Sequence, residues 1–227
     1  MQLLMRLAVR VVLGGLFSTE GEDLVPRQGG LLVCSNHAST IDPPLLPACL
    51  PRSDSWSMAK SEWFARPSLT RWIFTHYHAF PVVRNSPDRR ALRRATGLLR
   101  DGQVLILYPE GTRVESGGLQ RAEPGAGFLA RTTGVAVQPV GLVGTRDCFP
   151  KGARWPRRVP VSVRFGPPLR VRERRPDGSR VENQDAADAI MLAVADLLPE
   201  EMRGVYADAA GFAASVREVT EPVQMHR

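Results

Sequence analysis

Lysine is nearly absent from this chain. Lys60 and Lys151 are the only two in 227 residues, so the formal net charge of +7, from 30 basic against 23 acidic side chains, is carried almost wholly by arginine. Arginine offers a planar fork matched to phosphate, and it suits anionic lipid and nucleic acid too. A plain compositional arginine bias gives the same charge, so charge alone does not choose a partner. Cysteine is scarce as well. Cys34, Cys49 and Cys148 are odd in number, far apart and in no paired motif. That argues against a disulfide framework or a Cys-based zinc site and fits a reducing compartment, with the thiols buried as small hydrophobes. The chain has no Walker A loop, GxSxG elbow, HExxH pair or visible internal repeat.

Long apolar runs are also missing. Residues 1–17 (MQLLMRLAVRVVLGGLF) come nearest, but Arg6 and Arg10 interrupt them, and a standard membrane span needs about 20 predominantly apolar residues. The arginines sit inside the run rather than before it, and no cleavage pattern is present, unlike a secretory signal. Leu4, Ala8, Val11 and Val12 lie at helical spacing, with Leu3, Leu7 and Phe17 on a neighbouring stripe. The expectation is an apolar helix within residues 1–20, lying in the membrane interface with its arginines among the headgroups. A helix packed on the core is the alternative.

The rest of the chain has the size and composition of one globular domain, the whole being 43% hydrophobic and 23% charged. Strands are expected at Leu31–Ser35, Trp56–Ala59, Phe80–Val83, Gln103–Tyr108, Val135–Val140 and Val161–Phe165. Helices are expected over Asp88–Asp101, with Ala91, Leu92, Ala95, Leu98 and Leu99 inward and arginines outward, and over Asn183–Leu198, capped by Asn183. The alternation predicts an α/β fold with a mostly parallel central sheet flanked by helices. The domain is placed at residues 21–208, with a surface loop over Arg170–Ser179 and a peripheral tail at 209–227.

Two segments carry candidate chemistry. Ser35-Asn36-His37-Ala38-Ser39-Thr40-Ile41-Asp42-Pro43-Pro44 comes directly after the apolar run Leu31-Leu32-Val33. A His and an Asp in one segment suit general-base chemistry, the carboxylate fixing the ring's tautomer and offsetting its charge. Five residues at roughly 100° each put them on different faces of a helix, so a turn is needed to join them. Asp42 followed by Pro43 equally reads as a helix cap and first turn. The second segment, Tyr108-Pro109-Glu110-Gly111-Thr112-Arg113, comes after the buried-strand pattern Val104–Leu107. Glycine permits a tight turn there, and a Thr hydroxyl, backbone N–H groups and Arg113 can meet an anion. Phe80-Pro81-Val82-Val83-Arg84-Asn85 ends a third strand pattern in an arginine. Other patterns fail on context. Gly125-Ala126-Gly127-Phe128-Leu129-Ala130 fits a GxGxxA fingerprint but has no strand before it. His76 and His78 lack a carboxylate partner, and His226 sits in the weakly patterned tail.

Taken together these segments resemble the PlsC-type glycerolipid acyltransferases, the 1-acyl-sn-glycerol-3-phosphate acyltransferase family. Asn36, His37 and Asp42 match its NHx4D motif, and Pro109–Arg113 match FPEGTR with Tyr108 in place of Phe. The Arg84 segment resembles its second motif, Gly134–Val140 its fourth, and Met58–Glu62 the approach to the second. The close Leu198-Pro199-Glu200, Arg203-Gly204 and Tyr206 is also similar. Departures are Ala136 for a frequent proline, Val83 for a frequent polar residue, and the missing Lys after Arg113.

The resemblance implies a glycerol-3-phosphate acyltransferase-like fold, with His37 as base and Asp42 orienting it. Arg84, Arg113, Lys60, Glu110, Gly111 and Thr112 would form the acceptor-phosphate pocket, and no cofactor or metal is implied. The donor would be acyl-CoA or acyl carrier protein. The acceptor would be lysophosphatidic acid or a similar lysolipid (lyso-ornithine lipid, lysophospholipid or glycolipid), met at the cytoplasmic face of the membrane by a peripheral or monotopic protein, with nucleic acid not a partner. A thioester hydrolase and a non-catalytic protein binding anionic membrane are the other readings.

Overall fold

The computed structural model describes residues 7, 13–64, 78–83, 88–114, 118–208, 212, 216 and 218–223. Among them, nine strands form one sheet: β1 (Phe17–Glu20), β2 (Leu31–Ser35), β3 (Ser55–Lys60), β4 (Ala79–Val82), β5 (Val104–Leu107), β6 (Ala136–Val143), β7 (Val161–Phe165), β8 (Leu169–Val171) and β9 (Thr220–Pro222). The order is β1-β7-β6-β2-β5-β3-β4, with β8 pairing both β6 and β9. Strands β6, β2, β5, β3 and β4 run parallel. Strand β7 runs antiparallel to β6, and β8 runs antiparallel to both β6 and β9.

Strand β2 is the centre of this arrangement. All five of its residues are buried, which is why its sequence is a continuous apolar run rather than an alternation. Successive side chains point to opposite faces. Leu31 and Val33 pack with Val104, Ile106, Val140 and Leu142 against helix α1 (Asp42–Cys49), meeting Leu45 and Leu46. Leu32 and Cys34 pack with Leu105 and Val137 on the other face. They meet Ala95 and Leu99 of α2 (Arg89–Arg100), Leu129 and Ala130 of α3 (Gly125–Thr133), and Ala186 and Ile190 of α4 (Asn183–Ala195). Each fully buried leucine in these layers contributes about 1.5–3 kcal/mol.

The crossovers from the two central strands leave on opposite faces. Helix α1 carries the chain from β2 toward β3, and α3 carries it from β5 back to β6 on the other side. A crevice opens at the carboxyl ends of strands where crossovers part in this way. His37 lies just past β2 and Glu110 just past β5, so both enter that crevice.

Several expectations are corrected. The apolar helix expected over 1–17 does not reach Phe17: Gly14–Leu16 form a 3-10 turn and Phe17–Glu20 the edge strand β1, so the end of the 1–20 segment belongs to the sheet. Residues 1–6 and 8–12 lie outside the described residues. Within the loop expected over 170–179, Arg170 and Val171 close β8. The 209–227 tail contributes β9 beside it, with Val219 fully buried. These strands were missed because three residues are too few to show a period. The last long helix stops at Ala195 rather than Leu198 and has Glu182 at its cap position, while the Asn183 side chain accepts from Arg131 instead. The helix expected over Asp88–Asp101 is α2 (Arg89–Arg100), with Asp88 as its cap, accepting from the backbone N–H of Arg90 and Ala91. No described helix is long and apolar enough to cross a membrane.

Helices α3 and α4 approach closely at small residues. A Cβ on Gly127 would stand 1.9 Å from the Asn183 carbonyl oxygen and 2.8 Å from the Ala187 nitrogen. Gly127→Ala therefore forces two backbones apart and lowers stability by about 1–3 kcal/mol. A urea melt shows this as a lowered midpoint with an unchanged slope, whereas an unchanged midpoint would contradict the close approach.

Candidate active site

The turn after β2 solves the spacing problem posed by His37 and Asp42. Asp42 is the first residue of α1, and its side chain reaches back across the turn instead of capping that helix. One oxygen, Oδ2, accepts from the backbone N–H groups of Ala38 (2.8 Å) and Ser39 (2.7 Å) and lies 2.9 Å from His37 Nδ1. The carboxylate is wholly buried and His37 is 6% exposed. With an ionised carboxylate as its partner, Nδ1 carries the ring proton, so Nε2 is left as the basic nitrogen.

Two further residues hold the imidazole. Tyr108, at the end of β5, stacks on it with ring centroids 4.3 Å apart and an interplanar angle of 23°. Burial, and then the Asp42 charge, push the Tyr108 phenol well above its ordinary range, so it stays neutral beside the base. Asn36 acts on the backbone. Its Nδ2 donates to the Leu142 carbonyl at 2.9 Å, and its Oδ1 accepts from the Leu142 N–H at 2.8 Å. The amide thus prolongs the β2–β6 pairing one residue beyond Ser35, so His37 leaves a fixed strand end. Ser39 ties the far side of the turn, donating from Oγ to the Phe149 carbonyl at 3.0 Å.

Glu110, expected to help shape the acceptor pocket, lines the pocket beside His37 and also braces the backbone around it. It is 5% exposed, and both oxygens are engaged by backbone: Oε1 accepts from the His37 N–H at 3.0 Å and Oε2 from the Gln120 N–H at 2.9 Å. Val114, four residues on, donates to the His37 carbonyl at 2.9 Å. The Tyr108–Arg113 turn and Val114 just after it therefore grip the main chain of the His–Asp segment on both sides of His37. Burial raises the Glu110 pKa, opposed by those two N–H groups and by the Arg146 charge. Gly111 takes the left-handed backbone (φ +67) that this turn requires. Thr112 and Arg113 stand exposed on the same turn, and Lys60 is half-buried at the end of β3. Arg84 and His76 lie outside the described residues. His78 stacks on Trp56 at 4.7 Å, a packing contact. Among the described residues no group of three or more His, Cys, Asp or Glu side chains could hold a metal ion.

A pocket opens beside the base, lined by His37, Glu110, Val114, Leu119, Arg146 and Met202 among others. Arg146 is the site residue that sequence reasoning missed. It comes after β6 in the run Gly144-Thr145-Arg146, which repeats the Gly111-Thr112-Arg113 order at the end of another parallel strand, and that echo is the signal that could have found it. Its Nη2 donates to the Val114 carbonyl at 3.0 Å. Leu119 and Met202 were also unforeseen. They meet because the Leu119 N–H bonds the Met202 carbonyl at 2.9 Å, closing one wall of the pocket from distant parts of the chain.

Known proteins agree with this architecture. The family model described as Acyltransferase matches residues 17–143, more than half of the chain. A chloroplast 1-acyl-sn-glycerol-3-phosphate acyltransferase of Arabidopsis thaliana is 34% identical over 135 residues, covering 58% of this chain and 37% of that protein. A lyso-ornithine lipid O-acyltransferase of Pseudomonas aeruginosa is 35% identical over 126 residues, covering 55% and 47%. This chain spans about half the length or less of the plant relatives it matches, 37–52% of each. The crystal structure of a 1-acyl-sn-glycerophosphate acyltransferase from Thermotoga maritima superposes with a TM-score of 0.69 at 24% identity, covering 86% of this chain and 76% of that one, which shows the shared fold. The sheet, the two motifs at its strand ends and the family match lead to one statement: this chain belongs to the Acyltransferase family.

Proposed function

We propose that the protein transfers a fatty acyl group from a thioester, acyl-CoA or acyl carrier protein, to the free 2-hydroxyl of 1-acyl-sn-glycerol-3-phosphate, giving phosphatidic acid for phospholipid biosynthesis. The observation that carries this reading is the His37–Asp42 pair, with His37 at the wall of a small pocket and Asp42 buried behind it. Nε2 takes the hydroxyl proton as the oxygen attacks the thioester carbonyl. When the tetrahedral intermediate collapses, the C–S bond breaks and the same proton passes from the imidazolium to the departing thiolate. Asp42 stabilises the transient imidazolium. No enzyme nucleophile enters the sequence of steps. Arg113, with Arg84 and Lys60, meets the acceptor phosphate, and Arg146 offers a further guanidinium on the pocket wall. The likeness to 1-acyl-sn-glycerol-3-phosphate acyltransferases supports that acceptor. The likeness to a lyso-ornithine lipid O-acyltransferase supports a second one that carries no phosphate. Both are amphiphiles, so the protein works at a membrane surface, on its cytoplasmic face, with residues 1–17 as the first contact.

Thiol release from acyl-CoA, measured with and without each acceptor, tests the reading. Release should require the acceptor and fall by about 10²–10⁴-fold in His37→Ala. Release that is indifferent to acceptor would identify a hydrolase instead. Arg146→Ala is expected to raise KM for 1-acyl-sn-glycerol-3-phosphate and leave KM for lyso-ornithine lipid unchanged; equal effects on both would remove Arg146 from phosphate binding. Deleting residues 1–12, which leaves the buried Leu13 and strand β1 in place, should reduce flotation with liposomes, and undiminished flotation would rule that stretch out as the contact.

A further inference from the structure

Among the described residues, the most exposed of the large hydrophobic side chains lies in a loop that neither motif includes. Trp155 is 81% exposed, in the connection between β6 and β7. Around it stand Lys151, Arg154, Arg157 and Arg158, all exposed. From Cys148 to Pro160 there is no carboxylate. A solvent-facing tryptophan costs free energy in water, and four like charges within eight residues repel one another. A surface that accepts an indole ring and counters the charges would offset both costs.

The loop's place is set by topology. Strand β7 runs back antiparallel to β6, with Val143 opposite Ser162, so the connection between them turns at the carboxyl end of β6. That is the edge of the sheet where β2 delivers His37. The loop is fastened there at both ends: Phe149 accepts the hydrogen bond from Ser39 of the His–Asp turn, and the Arg157 N–H bonds the Cys148 carbonyl at 2.6 Å. Arg158 lies against the amino-terminal segment, since a Cβ on Gly14 would stand 3.7 Å from its Nη2. Leu16, two residues on, is 37% exposed.

We propose that residues 150–158 are a docking element for an anionic phospholipid bilayer, Trp155 entering at the headgroup level while Lys151, Arg154, Arg157 and Arg158 meet lipid phosphates. Tryptophan favours this interface because one part of the ring system is apolar and its N–H is polar. Each cation near an anionic leaflet adds about fivefold to partitioning. Charge complementarity selects the anionic lipid, and the indole favours a bilayer over a purely polar polyanion. The inference rests on the lysolipid reading for its purpose, which is to bring the His37 edge onto the surface where the acceptor lies.

Partitioning of the full chain onto sucrose-loaded vesicles of phosphatidylcholine, with and without phosphatidylglycerol, tests it apart from catalysis. The ionic strength is set so that the wild type is half bound. A variant with Arg154, Arg157 and Arg158 all changed to Gln should bind anionic vesicles roughly one hundredfold more weakly, at about fivefold per cation. Tryptophan quenching by bromine-labelled lipid should be present in the wild type and largely lost in Trp155→Phe, a change that keeps an aromatic ring on an exposed loop. Thiol release with a short-chain acceptor kept below its micellar concentration should be the same in all three proteins, while turnover of vesicle-borne acceptor falls in the variants. Unchanged partitioning and unchanged quenching would overturn the proposal. So would a triple variant that loses binding to a duplex oligonucleotide but still binds vesicles, since the loop would then serve nucleic acid. Absence of thiol release from every protein, with the partitioning differences intact, would count against the acyl-transfer reading and leave the docking surface standing.

Discussion

One buried oxygen, Oδ2 of Asp42, organises the end of this molecule where His37 lies. It gathers two backbone N–H groups and an imidazole nitrogen within 2.7–2.9 Å, in a position with no access to water. Burying a carboxylate is costly unless it is well hydrogen-bonded, and those contacts offset the cost only if residues 37–42 form this particular turn. The need to compensate that charge, met at Oδ2 while Oδ1 has no hydrogen-bond partner, thus shapes the backbone, and the same geometry directs the histidine. Fold and the geometry of the His–Asp pair are tied to one electrostatic constraint.

The Tyr108–Val114 stretch works on the His–Asp segment mostly through the main chain. Glu110 holds the His37 and Gln120 N–H groups, Val114 holds the His37 carbonyl, and Tyr108 lies flat on the ring. Position is thereby specified from several sides by groups from β5 and the turn after it. Preorganisation of this kind matters for proton transfer, because a small displacement of the base is expensive in rate. It also separates two duties that the motif string runs together: the glutamate builds the site, while Thr112 and Arg113 face outward where a ligand can reach them.

The sheet's carboxyl edge collects everything of functional interest: the base, the Gly111 turn, the Gly144-Thr145-Arg146 turn, the end of β3 with Lys60, and the Trp155 loop. Parallel strands make this possible by ending together, and the opposed crossovers leave the crevice open. On the proposed lysolipid reading, presenting that one edge to a membrane would bring the acceptor to His37. The proposed docking loop places cations and an indole there without altering the core.

Much of the fold was legible in the sequence. Leu31–Ser35 and Val161–Phe165 were bounded to the residue, because burial on both faces and strict alternation each leave a clear pattern. The His–Asp pair, its need for a turn and its family resemblance were also readable, since they depend on residue type and short spacing. Tertiary structure alone decided which atoms meet across long intervals. Asn36 pairs with Leu142 and Glu110 with Gln120, while Leu119 meets Met202, because the chain's crossovers bring separate strand ends together. The short strands β1, β8 and β9 were equally invisible, for their few residues show no apolar run or alternation and take their conformation from the partners they pair with. Local order is written in side-chain periodicity; the assembly of a site is written in the path of the backbone.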